Sequence, residues 1–317
     1  MKIKDLGEFG LIKELTKLLE IKDSSVVVDF GDDCSCVKIS DQIILFTSDI
    51  LIENKHFLRN LISPKDLGWK LVSVNVSDIF ACGGKPKWGF VSIALPPELE
   101  VEYIKQVYSG MEEACQYYKM SIIGGNTSSS EEIVLDLFLT GITDRFVSRG
   151  EAKTGDYILL SGFTGLSKAG LELLLMEKGH YEDFELNLIK AHTRPVARIE
   201  IVEKIKKFAS SCIDISDGLA GDLSHILKSS TVKGVLFKEN LPINPHLKTF
   251  CEKYKKDPLE YVLYGGEDYQ LLFTVNEKHL SHFNNYFVIG KIEKGSGLFL
   301  KKGNNIKKIS EKGYQHL

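Results

Sequence analysis

No apolar run in this chain approaches the roughly 18 residues that a membrane-spanning helix needs, which argues against a membrane partner. The opening segment, MKIKDLGEFGLIKEL, lacks a long apolar core and a small-residue cleavage site, so no secretory signal is expected. The six cysteines, at 34, 36, 82, 115, 212 and 251, form no CxxC pair and no regular framework. They read as reduced thiols of a cytoplasmic protein rather than as a disulfide or zinc scaffold. An excess of one charge is missing as well. Forty Lys and Arg stand against 43 Asp and Glu, a net charge of −3, which gives no support for a nucleic-acid partner. The basic KKGNNIKK near the C-terminus reads as a solvated surface. There is no Ser–His–Asp order, no HExxH and no GK[ST] phosphate loop.

What is present is ordinary for a globular protein. The chain is 317 residues long, 43% hydrophobic and 26% charged, enough for about two domains of roughly 150 residues each. The polar, glycine-containing stretch 148–156 is the best boundary, giving domains 1–147 and 148–317. In the first, residues 42–46, 88–95, 121–123 and 133–142 read as strands, and 64–80 and 98–118 as amphipathic helices. In the second, strands are expected at 157–161, 212–215, 235–238, 270–275, 286–289 and 298–300. Helices are expected at 166–178, at 195–208 with Pro195 opening it, and at 218–227. The first half is mixed α and β. The alternation in the second favours an α/β domain.

Short acidic motifs run the length of the chain: Gly31-Asp32-Asp33, Thr47-Ser48-Asp49, Asn75-Val76-Ser77-Asp78, Asp214-Ile215-Ser216-Asp217-Gly218 and Gly265-Gly266-Glu267-Asp268. Carboxylates that meet without a counter-charge repel, and Mg²⁺ joins them through oxygen ligands while also holding phosphates. Several of these motifs have a plainer reading alone. A GDD suits a turn. TSD at a strand end suits a helix cap. The polar residues at 75, 77 and 78 interrupt an apolar helix, and because buried polar groups need partners they favour function. The DISDG motif ends a strand and opens a helix, whose N–H groups suit phosphate; Ser216 or Asp217 could equally cap that helix, which is compatible with ion binding and accounts for one residue but not both aspartates. Gly124-Gly125-Asn126-Thr127 follows a strand and lets the backbone approach a ligand. Gly162-Phe163-Thr164-Gly165 reads as a turn, and a lone His56 as structural.

Together and in this order, GDDCSCV, FTSDILIENKHF, LGWKLVSVNVSDIFACGG, GGNTS, SRGEAKTGD, DISDGLAGDLSHI, YGGEDYQLLFTV and the final KGYQH resemble the thiamine-monophosphate kinase family over almost the whole chain. The resemblance implies a two-domain fold like that of aminoimidazole ribonucleotide synthetase, with a homodimer formed through the first domain. It also implies transfer of the γ-phosphoryl of ATP to thiamine monophosphate with the help of several Mg²⁺ ions. By the same resemblance Asp33, Thr47, Ser48, Asp49, Asp78, Asn126, Asp214 and Asp217 would ligate Mg²⁺. Gly125, Asn126, Arg149 and Ser216 would contact ATP, and His56, Glu267 and Tyr314 the thiamine phosphate. Asp49, Asp78 and Arg149 would carry catalysis. The family usually has GGDT where this chain has Gly124-Gly125-Asn126-Thr127, so one metal ligand loses its charge. Methionine often stands in the family where this chain has Cys82. The alternatives are another enzyme of the superfamily with a different acceptor, or a nucleotide-binding protein without turnover.

Overall fold

The computed structural model describes residues 2–311 and residue 313. Two sheets organise the chain. The first contains β1 (Val26–Val28), β2 (Ser35–Ile39), β3 (Gln42–Ile52), β4 (Lys85–Leu95), β5 (Ser121–Ser129) and β6 (Val134–Thr143), in the order β1-β2-β3-β6-β4-β5. All its pairings are antiparallel except β4 with β5. The second contains β7 (Tyr157–Leu160), β8 (Ala209–Asp214), β9 (Lys233–Phe237), β10 (Leu271–Val275), β11 (Phe287–Glu293), β12 (Gly297–Lys302) and β13 (Asn305–Lys308), in the order β13-β12-β9-β11-β7-β10-β8. There only β9 and β12 run parallel. Strands and helices alternate as expected, but most strand pairs in this half are antiparallel.

The helices are α1 (Gly7–Thr16), α2 (Pro64–Ala81), α3 (Val101–Tyr118), α4 (Leu166–Leu175), α5 (Asp183–Thr193), α6 (Val202–Phe208), α7 (Leu219–Ser230), α8 (Pro245–Tyr254) and α9 (Pro258–Tyr264). Helix α2 matters most for the site. Ser63 caps it by accepting from Asp66 N–H, and Pro64 occupies its first turn. It packs on β3 and β6 of the first sheet and on β8 and β10 of the second. A helix enclosed on both sides buries polar as well as apolar positions, and Lys70, Ser73, Asn75 and Ser77 are all buried. One hydrophobic cluster runs through this contact, joining Leu71 and Phe80 to Cys212, Leu271 and Phe273. A second cluster is built from residues 152–298 alone.

Several expected boundaries shift. Strand β3 continues to Ile52, so Thr47-Ser48-Asp49 lies inside it rather than at its end. Strand β5 likewise runs through Gly124-Gly125-Asn126-Thr127. The helix expected from Pro195 begins later, as a 3-10 turn at Ile199–Ile201 leading into α6. The carbonyl of Pro195 instead accepts the Trp69 indole N–H at 2.6 Å, tying the two halves together.

Candidate active site

Three carboxylates that are far apart in sequence meet. Asp33 follows β1, Asp78 is in the last turn of α2, and Asp214 ends β8. One oxygen from each lies within 4.8 Å of the others. The alternation of β3 turns Thr47 and Asp49 toward α2. Thr47 Oγ1 donates to Asp78 Oδ2 at 2.5 Å, and Ser77 Oγ, next along α2, donates to Asp214 Oδ2 at 2.7 Å. Asn75 shares the face of Asp78 but does structural work. It accepts from Asp49 N–H and donates to the Leu71 carbonyl, bracing α2 against β3. Burial, reinforced by the charges of Asp49 and Asp214, pushes the Asp78 carboxyl far up. Burial and then Asp33 do the same to Asp214. Asp33 is pushed up to about 6 by burial, against the pull of Arg149.

Arg149 opens the connection into the second half and reaches back to this cluster. Its guanidinium donates to Asp33 Oδ1 at 2.5 Å and lies 3.4 Å from Asp32 Oδ1. Asp32 also accepts from Ser148 Oγ and from Arg149 N–H, which fixes the turn. Asp33 Oδ2 is buried without a hydrogen-bond partner. Clustered carboxylates, raised in pKa by burial and by neighbouring charges and leaving a buried oxygen unused, suit a hard divalent cation.

The DISDG segment is held differently from expectation. Neither Ser216 nor Asp217 caps α7. Gly218, at φ +113°, is its N-cap, and the Asp217 and Gly218 N–H groups donate to Asp222 Oδ2 within the first turn. Ser216 is exposed, with its carbonyl accepting from Glu267 N–H at 2.7 Å. In the neighbouring GGED loop, Asp268 accepts from the N–H groups of Gly165, Leu166 and Ser167 and so caps α4. The GFTG segment is the turn before that helix, with Gly165 at φ +86°.

Glu267 faces the opposite way. Its Oε1 lies 2.8 Å from Lys70 Nζ and its Oε2 3.4 Å from His192 Nδ1. Burial pushes its carboxyl up, but Lys70, His192 and His56 outweigh that and hold it below the ordinary range. His56 sits in a turn after β3, where Nδ1 accepts from Ile52 N–H at 3.0 Å. Glu53, paired with Arg59, braces that turn. Tyr269 is buried beside Glu267, and its hydroxyl feels Asp49, Asp214 and Asp78 as well. Sequence reasoning singled out neither Lys70, His192 nor Tyr269: Lys70 sits in an apolar helical stretch where a polar side chain reads as incidental, and His192 and Tyr269 carry no recognisable spacing of their own.

Other expected residues lie elsewhere. The Ser48 hydroxyl is on the far face of the first sheet, bonded to Asp136 at 2.9 Å. Asn126 is on the exposed edge strand β5, its Oδ1 accepting from Thr127 N–H at 2.9 Å. Gly125 lies opposite Val91 in the parallel pairing, where a Cβ would come 1.9 Å from the Val91 carbonyl oxygen. Tyr314 lies outside the described residues.

Residues 31–143 match the family model described as AIR synthase related protein, N-terminal domain, a span that holds Asp33 and Asp78 of the acid cluster and strands β2 to β6, while Asp214 lies beyond it. More narrowly, the chain belongs to the thiamine-monophosphate kinase family. The thiamine-monophosphate kinase of Aquifex aeolicus (strain VF5) is 48% identical over 316 residues, covering 100% of both chains. That of Pyrococcus abyssi is 33% identical over 288 residues, 90% of each. The solved structure of AaThiL complexed with AMPPCP and TMP aligns with a TM-score of 0.94 at 48% identity, covering 100% of this chain and 99% of that one.

Proposed function

We propose that the chain transfers the γ-phosphoryl group of ATP to thiamine monophosphate, giving thiamine diphosphate and ADP. The observation that carries this reading is the full-length likeness to AaThiL, whose solved complex holds AMPPCP and TMP, at a TM-score of 0.94. The acceptor is a phosphate oxygen, anionic at neutral pH, so no general base is required of the protein. The chain's work is to align acceptor and donor in line and to stabilise charge. Asp33, Asp78 and Asp214 suit Mg²⁺ best, with Thr47 bonded to Asp78, Asp49 acting on both Asp78 and Asp214, and Asp217 three residues beyond Asp214. When bound, Mg²⁺ would draw negative charge from the transferring phosphoryl group. Ser48 and Asn126 fit that role less directly, since both are bonded elsewhere. Arg149 would release Asp33 to meet nucleotide phosphate, joined by Gly125 and Ser216. His56, Glu267 and Tyr314 would meet the thiamine moiety, Tyr314 by stacking on a cationic ring.

In this reading residues 1–147 and 148–317 form two domains, consistent with one sheet in each. The protein acts as a homodimer, supported by the apolar side chains exposed on the first sheet. It works in the cytoplasm, supported by six free and buried cysteines. No helix among the described residues is long and apolar enough to cross a membrane.

The test is ADP release from ATP and Mg²⁺, with and without thiamine monophosphate, following thiamine diphosphate as product. Release matched to product supports the proposal. ATP binding with no such release supports the non-catalytic alternative, to which Asn126 gives its weight. An Asn126→Asp variant is expected to reach half-maximal turnover at a several-fold lower Mg²⁺ concentration, because an added carboxylate restores a charged ligand. An unchanged Mg²⁺ titration would remove Asn126 from the metal site.

A further inference from the structure

Lys70 is 1% exposed, in the middle of α2. A lysine is seldom buried so fully unless it is paired. Its ammonium lies 2.8 Å from Glu267 Oε1, close enough for an ion pair but not aligned as a hydrogen bond. Glu267 keeps 32% of its side chain exposed and stands at φ +59°, a backbone conformation uncommon for a residue with a Cβ. Its N–H is anchored on the Ser216 carbonyl, and its second oxygen faces His192, which bonds to Ser167 Oγ at 2.9 Å. His56, Asp268 and Tyr269 are the other titratable groups that act on this carboxylate or feel it. The carboxylate is therefore held between a buried cation from the first half and an imidazole from the second, with one edge open to a ligand.

We infer that Lys70 is a positioning residue for substrate, fixing the Glu267 carboxylate as an ionised acceptor turned toward an N–H donor or the cationic ring of the thiamine moiety. This rests on the reading of Glu267 as a contact of thiamine monophosphate. Lys70 touches no substrate itself. It acts through Glu267, so it governs affinity for the phosphate acceptor and not for ATP. Its burial in α2, the helix that also carries Asp78, links the acceptor pocket to the phosphoryl-transfer cluster through one rigid element.

The experiment compares Lys70→Met, Glu267→Gln and the double variant. Each single substitution is expected to raise KM for thiamine monophosphate about tenfold or more, since a charge-assisted contact carries roughly that much. KM for ATP should stay unchanged. The double variant should be no worse than Glu267→Gln, because the two act as one unit. Additive losses, or a wild-type KM in Lys70→Met, overturn the inference. If one single variant does not fold, the double variant, which removes both charges together, is compared with the single that does. Equal KM supports the inference and a further loss overturns it. The second readout needs no turnover. Histidine NMR should show His192, whose protonation burial and the Lys70 charge both oppose, titrating at higher pH in Lys70→Met than in the wild type. An unmoved titration overturns the coupling. A wild type that binds but does not phosphorylate thiamine monophosphate overturns the proposed function instead, and the Lys70 inference is then decided by equilibrium binding of thiamine monophosphate, expected about tenfold weaker in Lys70→Met and overturned by an unchanged Kd.

Discussion

At the scale of single residues, the site is defined by charges that the folded chain holds at a cost. Asp78, Asp214 and Asp33 are crowded together in a desolvated place: burial raises the pKa of all three, Asp49, Asp214 and Asp33 add to that of Asp78, and Asp33 adds to that of Asp214. Such a cluster is paid for by what it binds rather than by stability. Asp78→Asn should therefore slow turnover at saturating Mg²⁺ by about a hundredfold or more, as loss of one preorganised electrostatic contact commonly does. The metal-free melting temperature should not fall. Full activity in this variant would remove Asp78 from the machinery. A different residue gives a pH signature. His225, half-buried in α7, is pushed down to about 4 by burial and by the charges of Arg149 and Lys228. The unfolded chain takes up that proton near the ordinary value of 6.5, and the folded chain refuses it until about 4. Stability present above 6.5 is therefore lost as pH falls through that window, by up to about 3 kcal/mol. Asp33 and Asp268, raised to about 6 and about 7, push in the other direction, so the measurement is the difference between wild type and His225→Gln. Chemical denaturation at stepped pH should show wild type losing ground to the variant below 6.5. Parallel curves would contradict the assignment.

At the scale of elements, the contact between α2 and α3 sets where the chemistry sits. The two backbones touch through glycines. A Cβ on Gly68 would lie 1.9 Å from the Val107 carbonyl oxygen, and one on Gly110 would lie 1.8 Å from that of Lys65. Gly110→Ala should force the helices apart at a cost of about 1–3 kcal/mol and, by moving Lys70, Ser77 and Asp78 together, should lower turnover as well. Gly179→Ala, where a Cβ meets nothing within 4 Å, is the control expected to change neither. Thermal melts and turnover of both variants test this, and a Gly110→Ala protein with wild-type values would show that the contact is slack. Helix α2 is legible in the sequence through its apolar spacing at Leu67, Leu71, Val74 and Ile79. The strands β3 and β5 were read too short, because Thr47-Ser48-Asp49 and Gly124-Gly125-Asn126-Thr127 look like turn chemistry, and only sheet pairing keeps them extended. Helices α8 and α9 went unread although Asn244-Pro245 and Asp257-Pro258 are cap-and-proline starts. Their bodies, ten and seven residues long, are too short to show a helical period clearly. The acidic motifs could be named from sequence, but their meeting could not. Asp33, Asp78 and Asp214 converge only because α2 lies between two sheets, and Asp222, four and five residues on, holds the N–H groups of Gly218 and Asp217 so that Gly218 stands at the N-cap of α7.

At the scale of the whole molecule, the two halves are bound by more than a linker. Trp69 donates to Pro195, Tyr118 accepts from Ala197 N–H at 2.9 Å, and Arg194 stacks over Trp69 while pairing with Asp66 and Glu113. This locks α2 and α3 to the segment before α6, so the acid cluster and the Glu267 pocket are set at a fixed spacing. The opposite face of the first sheet is treated in the reverse way. Ile50, Trp88, Phe90 and Phe138 alternate outward there, from 38% to 48% exposed, beside the edge strand β5. A contiguous apolar face next to an unpaired strand edge marks an association surface, and a closed symmetric pair is the commonest way for one chain to cover it. Phe138 lies mid-sheet, where β3 and β4 both pair with β6, so a charge there is central to that face. Phe138→Asp should convert a dimer of the wild type into a monomer in analytical ultracentrifugation, with the far-ultraviolet circular dichroism unchanged because the side chain points away from the core. The edge strand carries Gly125 and Asn126, both expected at ATP, so the monomer should also lose affinity for nucleotide. A monomeric wild type, or a Phe138→Asp dimer with normal ATP binding, would show that this face serves something other than self-association.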